Sequence, residues 1–155
     1  MDTSEVRIVR LEPMRVACFN GFGPGPEEIA LNKMLAWVKA RQLLADGQVH
    51  RFFGYDNPMP TPGSPNYGYD MWVTIGPAVT VDGEAKLVNF AGGLYAVAGF
   101  AGHPMGIPAA WKKLMAWVEQ SRYRPNDSIQ WLEEHFNPPV PLDQLRLDLH
   151  LPIAE

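Results

Sequence analysis

The residues best suited to chemistry lie at positions 130–136, in the segment QWLEEHF. This segment carries two adjacent carboxylates, Glu133 and Glu134, flanked by a tryptophan and a histidine. A carboxylate among aromatic rings can balance the charge of a cationic ligand, or it can act as a general acid or base when burial raises its pKa. The face of the protein that each carboxylate occupies decides which of these roles is available.

The last strand of the chain predicts two sheet faces with different chemistry. Leu147, Leu149 and Leu151 alternate with Asp148 and His150, so one face is aliphatic and the other is polar. We expect the aliphatic face to pack against helices and the opposite face to be uncovered by any other element.

The same alternation applies to the strand that contains QWLEEHF. We place Leu132 on the aliphatic face, which puts Trp131, Glu133 and His135 together on the opposite face. Glu134 then points toward the helix side or a sheet edge. It is the alternative to Glu133 as the acidic residue of the site.

Aromatic side chains from an earlier part of the chain are expected on an equivalent face. Phe53 and Tyr55 take it in one strand, and Trp72 takes it in the next. Burying an unpaired carboxylate among such rings costs roughly several kcal/mol, which a bound cation would offset. We therefore predict a cleft for a bulky cationic or aromatic ligand, with these ligand-binding residues: Glu133, Trp131, Trp72, Phe53, Tyr55 and His135.

An internal repeat organises these segments. The sequence KMLAWV at positions 33–38 recurs as KLMAWV at positions 113–118, and the same offset of 80 residues pairs further prolines and alanines. We predict a duplicated unit, about 5–82 and 83–153, which forms one domain over residues 1–155 with a pseudo-twofold axis.

Each copy has the same predicted order of elements. A bent strand (6–20, then 85–99) precedes a helix, and two strands follow it (50–56 and 68–75, then 129–136 and 146–153). The helices are marked by apolar stripes of Leu31, Met34, Leu35 and Val38, then Trp111, Leu114, Met115 and Val118. The predicted fold class is α+β, with two β-α-β-β modules of antiparallel sheet and two main helices around a central cleft. Glu133 breaks the symmetry, because the first copy has Phe53 at that position.

Composition and charge argue against several classes of function. The net charge is −4 and no basic stripe is present, so nucleic acid is a poor partner; no apolar run approaches the roughly 20 residues of a membrane helix. The single cysteine, Cys18, and an N-terminus without a signal-peptide pattern predict a reduced, cytoplasmic location. The four histidines lack metal-ligand spacing, so we expect no metal and no cofactor. The sequence leaves the oligomeric state open.

Five segments, 67–75, 92–97, 111–118, 130–135 and 148–153, follow one another in an order and spacing that resemble a known family. This is the GyrI-like family, also called bacterial effector-binding domains of the AraC or Rob type, which includes the ligand-binding half of the multidrug regulator BmrR. The resemblance extends over nearly the whole chain, and the chain is most similar to the stand-alone members that lack a DNA-binding domain.

The resemblance implies an SHS2-like duplication of two fused modules around a ligand cleft. It also implies a buried acidic residue that receives lipophilic cations among aromatic rings. The family's acidic residue lies in a segment similar to (F/P)-E-x-Y, which matches residues 132–135 and places the acidic residue at Glu133. His135 stands where that segment has a tyrosine.

Three functions are open at this point. The first is a small-molecule binding protein for lipophilic, cationic or aromatic ligands, with Glu133 as the counter-charge. The second, implied by some relatives, is a hydrolase of strained electrophilic xenobiotics, with Glu133 as the catalytic acid or base acting on a bound water. The third is a protein-interaction module such as a gyrase modulator.

Overall fold

A computed structural model describes residues 5–45, 47, 49–136 and 145–155. The strands, in chain order, are β1 (Arg7–Leu11), β2 (Met14–Gly23), β3 (Phe52–Asp56), β4 (Tyr67–Thr74), β5 (Lys86–Phe90), β6 (Gly93–Gly102), β7 (Arg124–Pro125), β8 (Leu132–His135) and β9 (Leu145–Ala154). The α-helices are α1 (Pro26–Ala40) and α2 (Ile107–Glu119). The chain forms two compact units. Unit 1 contains the described residues of Met1–Pro13 and Ala91–Glu155, and unit 2 contains the described residues of Met14–Phe90.

Unit 2 is an antiparallel sheet that packs against α1, with the strand order β3-β4-β2-β5. α1 begins at Pro26, whose ring suits the first helical position, and its first turn carries Glu27 and Glu28 at the positive end of the helix. Its core contains Ala17, Phe19, Met34, Val38, Tyr69, Met71, Val73 and Ile75. The predicted alternation of β4 and the apolar stripe of α1 are therefore confirmed.

Asp56 is an acidic residue at the end of β3 in unit 2. Burial, and after it the negative charge of Glu27, raise the pKa of Asp56 to about 6. A folded-state pKa above the ordinary value means that protonated Asp56 stabilises the fold, and this stabilisation is lost as the pH rises through about 6. We expect Asp56→Asn to increase the free energy of unfolding by about 1–2 kcal/mol at pH 8 and to leave it nearly unchanged at pH 4.

Denaturant titrations of the wild type and Asp56→Asn at both pH values measure this effect. Glu84→Gln is the matched control, because the Glu84 side chain keeps 70% of its surface exposed. If Asp56→Asn increased the free energy of unfolding by the same amount at both pH values, the charge of the Asp56 carboxylate would not be the cause of the increase.

Unit 1 is an antiparallel sheet that packs against α2, with the strand order β1-β6-β9-β8 and with β7 paired to the end of β9. Trp111 and Met115 are partly buried on the core, and Leu114 and Val118 are fully buried in it. The strands contribute Ala96, Ala98, Phe100, Leu147, Leu149, Leu151 and Ile153. The predicted stripe of α2 and the predicted aliphatic face of β9 are confirmed.

The two predicted bent strands differ from the observed structure. The first is divided at residues 12–13 into β1, which pairs with β6, and β2, which pairs with β4 and β5. The second is divided before β6 at Gly92, which has a φ of +86° and whose position leaves no room for a Cβ beside Leu11 O. Each unit thus combines a β-α-β-β segment from one half of the chain with one edge strand from the other half.

The α+β class with antiparallel sheets is confirmed, whereas the origin of the two halves by duplication stays a prediction. Among the described residues, no helix has both the length and the apolar composition needed to cross a membrane.

Candidate functional site

Each sheet has one face that packs against the helix of its unit and an opposite face, which we call the helix-free face. In unit 1, strand pairing places these residues on the helix-free face: Tyr95, Val97, Leu132, Glu134, Asp148 and His150. This face is buried, because Tyr95 and Leu132 have no exposed surface, His150 exposes 2% and Glu134 exposes 7%.

Glu133 lies on the helix-packed face of unit 1, so the face predicted for it from the sequence is wrong. It pairs across β8 and β9 with Leu149, a member of the core beneath α2. Trp111, on α2, donates a hydrogen bond from its Nε1 to Glu133 Oε2 at 3.2 Å. Trp131 and His135 share a face with Glu133 as predicted, but it is the face that packs against the helix.

The error has a physical cause in the burial of both sheet faces. From the sequence, an apolar residue such as Leu132 is expected on the face that packs against the helix. In the structure Leu132 pairs with His150 and is fully buried on the helix-free face. Side chains alternate along a strand, so assigning Leu132 to the wrong face also assigns Glu133 and Glu134 to the wrong faces.

Glu133 contributes to the packing of β8 against α2. The rings of Trp111 and Trp131 lie 5.2 Å apart at an interplanar angle of 43°, beside the half-buried carboxylate. His135, on the same face, is neutral at physiological pH because burial lowers its pKa to about 4. This cluster is an aromatic and polar connection between a helix and a strand, in which the carboxylate accepts an indole hydrogen bond.

Glu134 and His150 form the central acidic and basic pair of the helix-free face in unit 1. His150 Nε2 lies 3.9 Å from Glu134 Oε1, a separation that allows an ion pair when the imidazole is protonated. The other ring nitrogen, Nδ1, lies 2.9 Å from the backbone oxygen of Asp148. A carbonyl oxygen only accepts hydrogen bonds, so Nδ1 carries a proton and the imidazole is held in one tautomer.

Two further groups border this pair. The ring of Tyr95 meets the ring of His150 edge to face, with centroids 5.7 Å apart, and the Tyr95 hydroxyl donates to the backbone oxygen of Gln130 at 2.6 Å. Asp148 forms an ion pair with Arg7 of β1 at 2.9 Å. The face therefore carries two buried rings and two carboxylates, Glu134 beside His150 and Asp148 beside Arg7.

The helix-free face of unit 2 is aromatic, as the sequence predicts. Phe53 pairs with Trp72, and Tyr55 on the same strand pairs with Asp70, so the three predicted rings share one face. Trp72 lies between Tyr55, at a centroid distance of 5.4 Å, and Phe90, at 5.5 Å. Within the described part of the chain, the buried Nε1 of Trp72 has no hydrogen-bond partner.

A buried carboxylate also lies among these rings. Asp70 accepts hydrogen bonds from the side-chain amides of Asn20, at 2.7 Å, and Asn57, at 3.0 Å. Burial, followed by the negative charge of Asp70, raises the pKa of the Cys18 thiol to about 12 and raises the pKa of Tyr55 as well. Cys18 is consequently a buried and unreactive thiol at neutral pH.

The structure thus separates the six predicted ligand-binding residues into two groups. Phe53, Tyr55 and Trp72 lie on the helix-free face of unit 2, whereas Trp131, Glu133 and His135 lie on the helix-packed face of unit 1. Sequence reasoning missed the pairing of Glu134 with His150 and the ring of Tyr95. The alternation of β9 already put His150 on the correct face, but only the register between β8 and β9 identifies Glu134 as its neighbour.

Two other kinds of site find little support. Across residues 5–45, 47, 49–136 and 145–155, no group of three or more His, Cys, Asp or Glu side chains could hold a metal ion. A shallow cavity of about 190 Å³ lies between β6 and the start of α2, lined by small and apolar residues and by Lys113. It includes none of the carboxylates described above, and we do not assign a ligand to it.

Comparison with known proteins identifies the family and the fold. The family model of the GyrI-like small molecule binding domain matches residues 4–154. No curated protein sequence is similar enough to count as a relative.

Solved structures with the same fold cover nearly the whole chain. A hydrolase from Listeria innocua has a TM-score of 0.72 at 13% identity, over 99% of this chain and 94% of that one. The EcmrR C-terminal domain has a TM-score of 0.70 at 11% identity, over 97% and 98% of the two chains. SAV2435 bound to tetraphenylphosphonium has a TM-score of 0.57 at 12% identity, over 97% and 94%.

Proposed function

Since this chain belongs to the GyrI-like small-molecule binding domain family, we propose that it binds bulky organic ligands that carry positive charge. Glu134 supplies the counter-charge from the helix-free face of unit 1. The observation that supports this proposal most directly is the burial of the Glu134 carboxylate, which leaves 7% of the residue exposed.

A buried carboxylate favours the approach of a cation for electrostatic reasons. Removal from water makes an ionised carboxylate costly, and positive charge placed beside it offsets part of that cost. The attraction between opposite charges is also stronger in the protein interior than in water, because the effective dielectric constant is lower. The Tyr95 ring, which lies on the same face, adds the attraction of an aromatic surface for cations.

The position of Glu134 is fixed by the sheet before any ligand arrives. Glu134 is on a strand paired to β9, opposite Asp148, and its neighbour Leu132 is fully buried on the same face. A carboxylate held in this way loses little further freedom when a ligand binds, which favours affinity. Glu133 does not have this position, because its carboxylate accepts a hydrogen bond from Trp111 on the helix side.

We assign a role as ligand contacts to the aromatic rings of unit 2, considered by themselves. Phe53, Tyr55 and Trp72 offer ring faces and edges that suit aromatic or cationic ligands, and the buried Trp72 Nε1 offers a hydrogen-bond donor. A ligand with several aromatic rings and a delocalised positive charge matches this chemistry better than a small hydrated cation.

A comparison of two ions of the same shape tests the proposal. Tetraphenylphosphonium and tetraphenylborate both present four phenyl rings, but their charges are opposite. In calorimetric titrations at pH 8 we expect the phosphonium to bind at least about tenfold more tightly than the borate, because only the cation is attracted by Glu134. Equal affinities, or tighter binding of the borate, would contradict the proposal.

A second candidate function is hydrolysis, favoured by the 3.9 Å separation of His150 Nε2 and Glu134 Oε1. A carboxylate and an imidazole at this separation could accept a proton from a bound water as it attacks a strained, electrophilic ring. Incubation of the wild type with a cyclopropane-containing electrophile should then yield the ring-opened product, and Glu134→Gln should yield none. Recovery of unchanged compound from the wild type would leave binding as the function.

A further inference from the structure

We propose that Arg51 is a specificity-determining residue of unit 2, because its guanidinium covers the ring of Phe53 as a cationic ligand would. The aromatic face of unit 2 then accepts uncharged aromatic groups and disfavours a cationic centre. The inference rests on the proposed function and refines it, by assigning the uncharged rings of a cationic ligand to this face. It is carried by the contact between Arg51 and Phe53, the complete burial of Phe53, and the backbone pairing of Arg51.

The contact between Arg51 and Phe53 has the geometry of a cation on an aromatic ring. The guanidinium carbon of Arg51, Cζ, lies 5.0 Å from the centre of the Phe53 ring. A cation within roughly 6 Å of a ring centre is attracted by the face of that ring. Phe53 has no exposed surface, whereas Arg51 is half-buried. A ligand cation can therefore reach the covered face of the ring only by displacing the guanidinium.

The sheet fixes the position of Arg51 beside this ring. Arg51 precedes Phe53 by two residues, so both side chains lie on the helix-free face of unit 2. The backbone nitrogen of Arg51 donates to Thr74 Oγ1 at 2.8 Å, and the backbone oxygen of Arg51 accepts from the Thr74 nitrogen at 3.0 Å. Further contacts of Arg51 or Phe53 leave the guanidinium over the ring, so the competition with a ligand cation does not depend on them.

The charge of Arg51 also affects which ligand group approaches this face. An arginine side chain stays positively charged in proteins. A second cation beside it is repelled, whereas an uncharged group is not repelled and an anion is attracted. The rings of Tyr55 and Trp72, with centroids 5.4 Å apart, provide contacts for uncharged aromatic groups on the same face.

The test measures how Arg51 changes the preference between tetraphenylphosphonium and tetraphenylborate, in calorimetric titrations at pH 8. We expect Arg51→Gln to bind the phosphonium about fivefold more tightly than the wild type does, because a ring face becomes available and a positive charge is removed. The borate should bind about fivefold more weakly, so the ratio of the two affinities rises by about 25-fold. Damage to the fold would lower both affinities together and would leave this ratio unchanged.

Two further variants serve as controls. Arg51→Lys keeps the positive charge, so we expect the ratio to stay within about threefold of the wild type. Arg41→Gln makes the same change of charge in the same unit, but Arg41 pairs with Asp82 and lies 4.1 Å from the ring centre of Trp37, a residue of the core beneath α1. We expect its ratio to change by less than about threefold. An equal rise of the ratio in Arg41→Gln and Arg51→Gln would assign the effect to net charge and overturn the inference.

The inference and the proposed function can fail separately. If the wild type prefers the phosphonium and Arg51→Gln leaves the ratio unchanged, the function stands and the role of Arg51 is overturned. If the wild type binds both ions equally and Arg51→Gln raises the ratio, the function is contradicted and the role of Arg51 stands. Binding of neither ion by the wild type or by Arg51→Gln would overturn both.

Discussion

Glu134→Gln should weaken tetraphenylphosphonium binding by about 30-fold at pH 8, a loss of about 2 kcal/mol. Glutamine has nearly the same shape as glutamate and removes only the negative charge. Because Glu134 is buried on the helix-free face, its charge acts on a ligand there through a poorly screened environment. Calorimetric titration of the wild type and the variant with the same ligand measures the difference.

Glu133→Gln is the matched control, since it makes the same substitution at the adjacent residue. The Glu133 carboxylate lies on the helix-packed face and accepts a hydrogen bond from Trp111 at 3.2 Å. A glutamine side-chain oxygen can accept that bond too, so we expect affinity to change by less than about threefold. A selective loss of binding in Glu133→Gln, with Glu134→Gln unaffected, would restore the assignment that the sequence alone suggests.

Gly21→Ala should lower the free energy of unfolding by about 3 kcal/mol. Gly21 lies on the helix-packed face of β2 in unit 2, where the first turn of α1 approaches the strand. A Cβ at this position would lie 2.8 Å from the backbone nitrogen of Ala30 and would also collide with the backbone oxygen of Pro26. Backbone atoms cannot rotate away, so the helix must shift from the sheet and lose core packing.

Denaturant titration measures this loss, and Gly25→Ala is the control. Gly25 precedes α1 with a φ of −135°, and a Cβ there would meet nothing within 4 Å. We expect Gly25→Ala to change the free energy of unfolding by less than about 1 kcal/mol in either direction. Equal stability of Gly21→Ala and the wild type would mean that α1 and β2 are farther apart than described.

Much of the fold follows from local patterns in the sequence. The apolar stripes of α1 and α2 and the alternation of β4 and β9 each give the correct face, because every one of them has a continuous helix-packed side. The division of residues 6–20 between two units could not be predicted in the same way. Pro13 suggests a bend, but the pairing of β1 with β6 joins residues about 85 positions apart, and nothing local specifies it.

The candidate site shows a sharper limit of sequence reasoning. Phe53, Tyr55 and Trp72 were predictable as one face, since residues at alternate positions of a strand share a face and Met71 and Val73 mark the opposite, helix-packed face of β4. The segment LEEH has no such contrast: Leu132 and Glu134 are buried on one face, and Glu133 and His135 are half-buried on the other. The pairing of Leu132 with His150 decides between the two glutamates, and it is a property of the folded sheet.

The two carboxylates of this segment illustrate how burial distinguishes a structural residue from a candidate ligand partner. Glu133 is held by an indole hydrogen bond between a strand and a helix. Glu134 faces the imidazole of His150, whose Nε2 lies 3.9 Å from Glu134 Oε1. The proposed binding and the proposed hydrolysis would both use Glu134, so product analysis rather than mutation of this residue separates these two functions.

A crystal structure of the protein with tetraphenylphosphonium tests the central claim most directly. We expect the phosphorus atom within about 6 Å of the Glu134 carboxylate, because this buried negative charge attracts the cation. A phosphorus atom beside Glu133 and Trp111, or in the cavity next to Lys113, would contradict the assignment of Glu134 as the counter-charge.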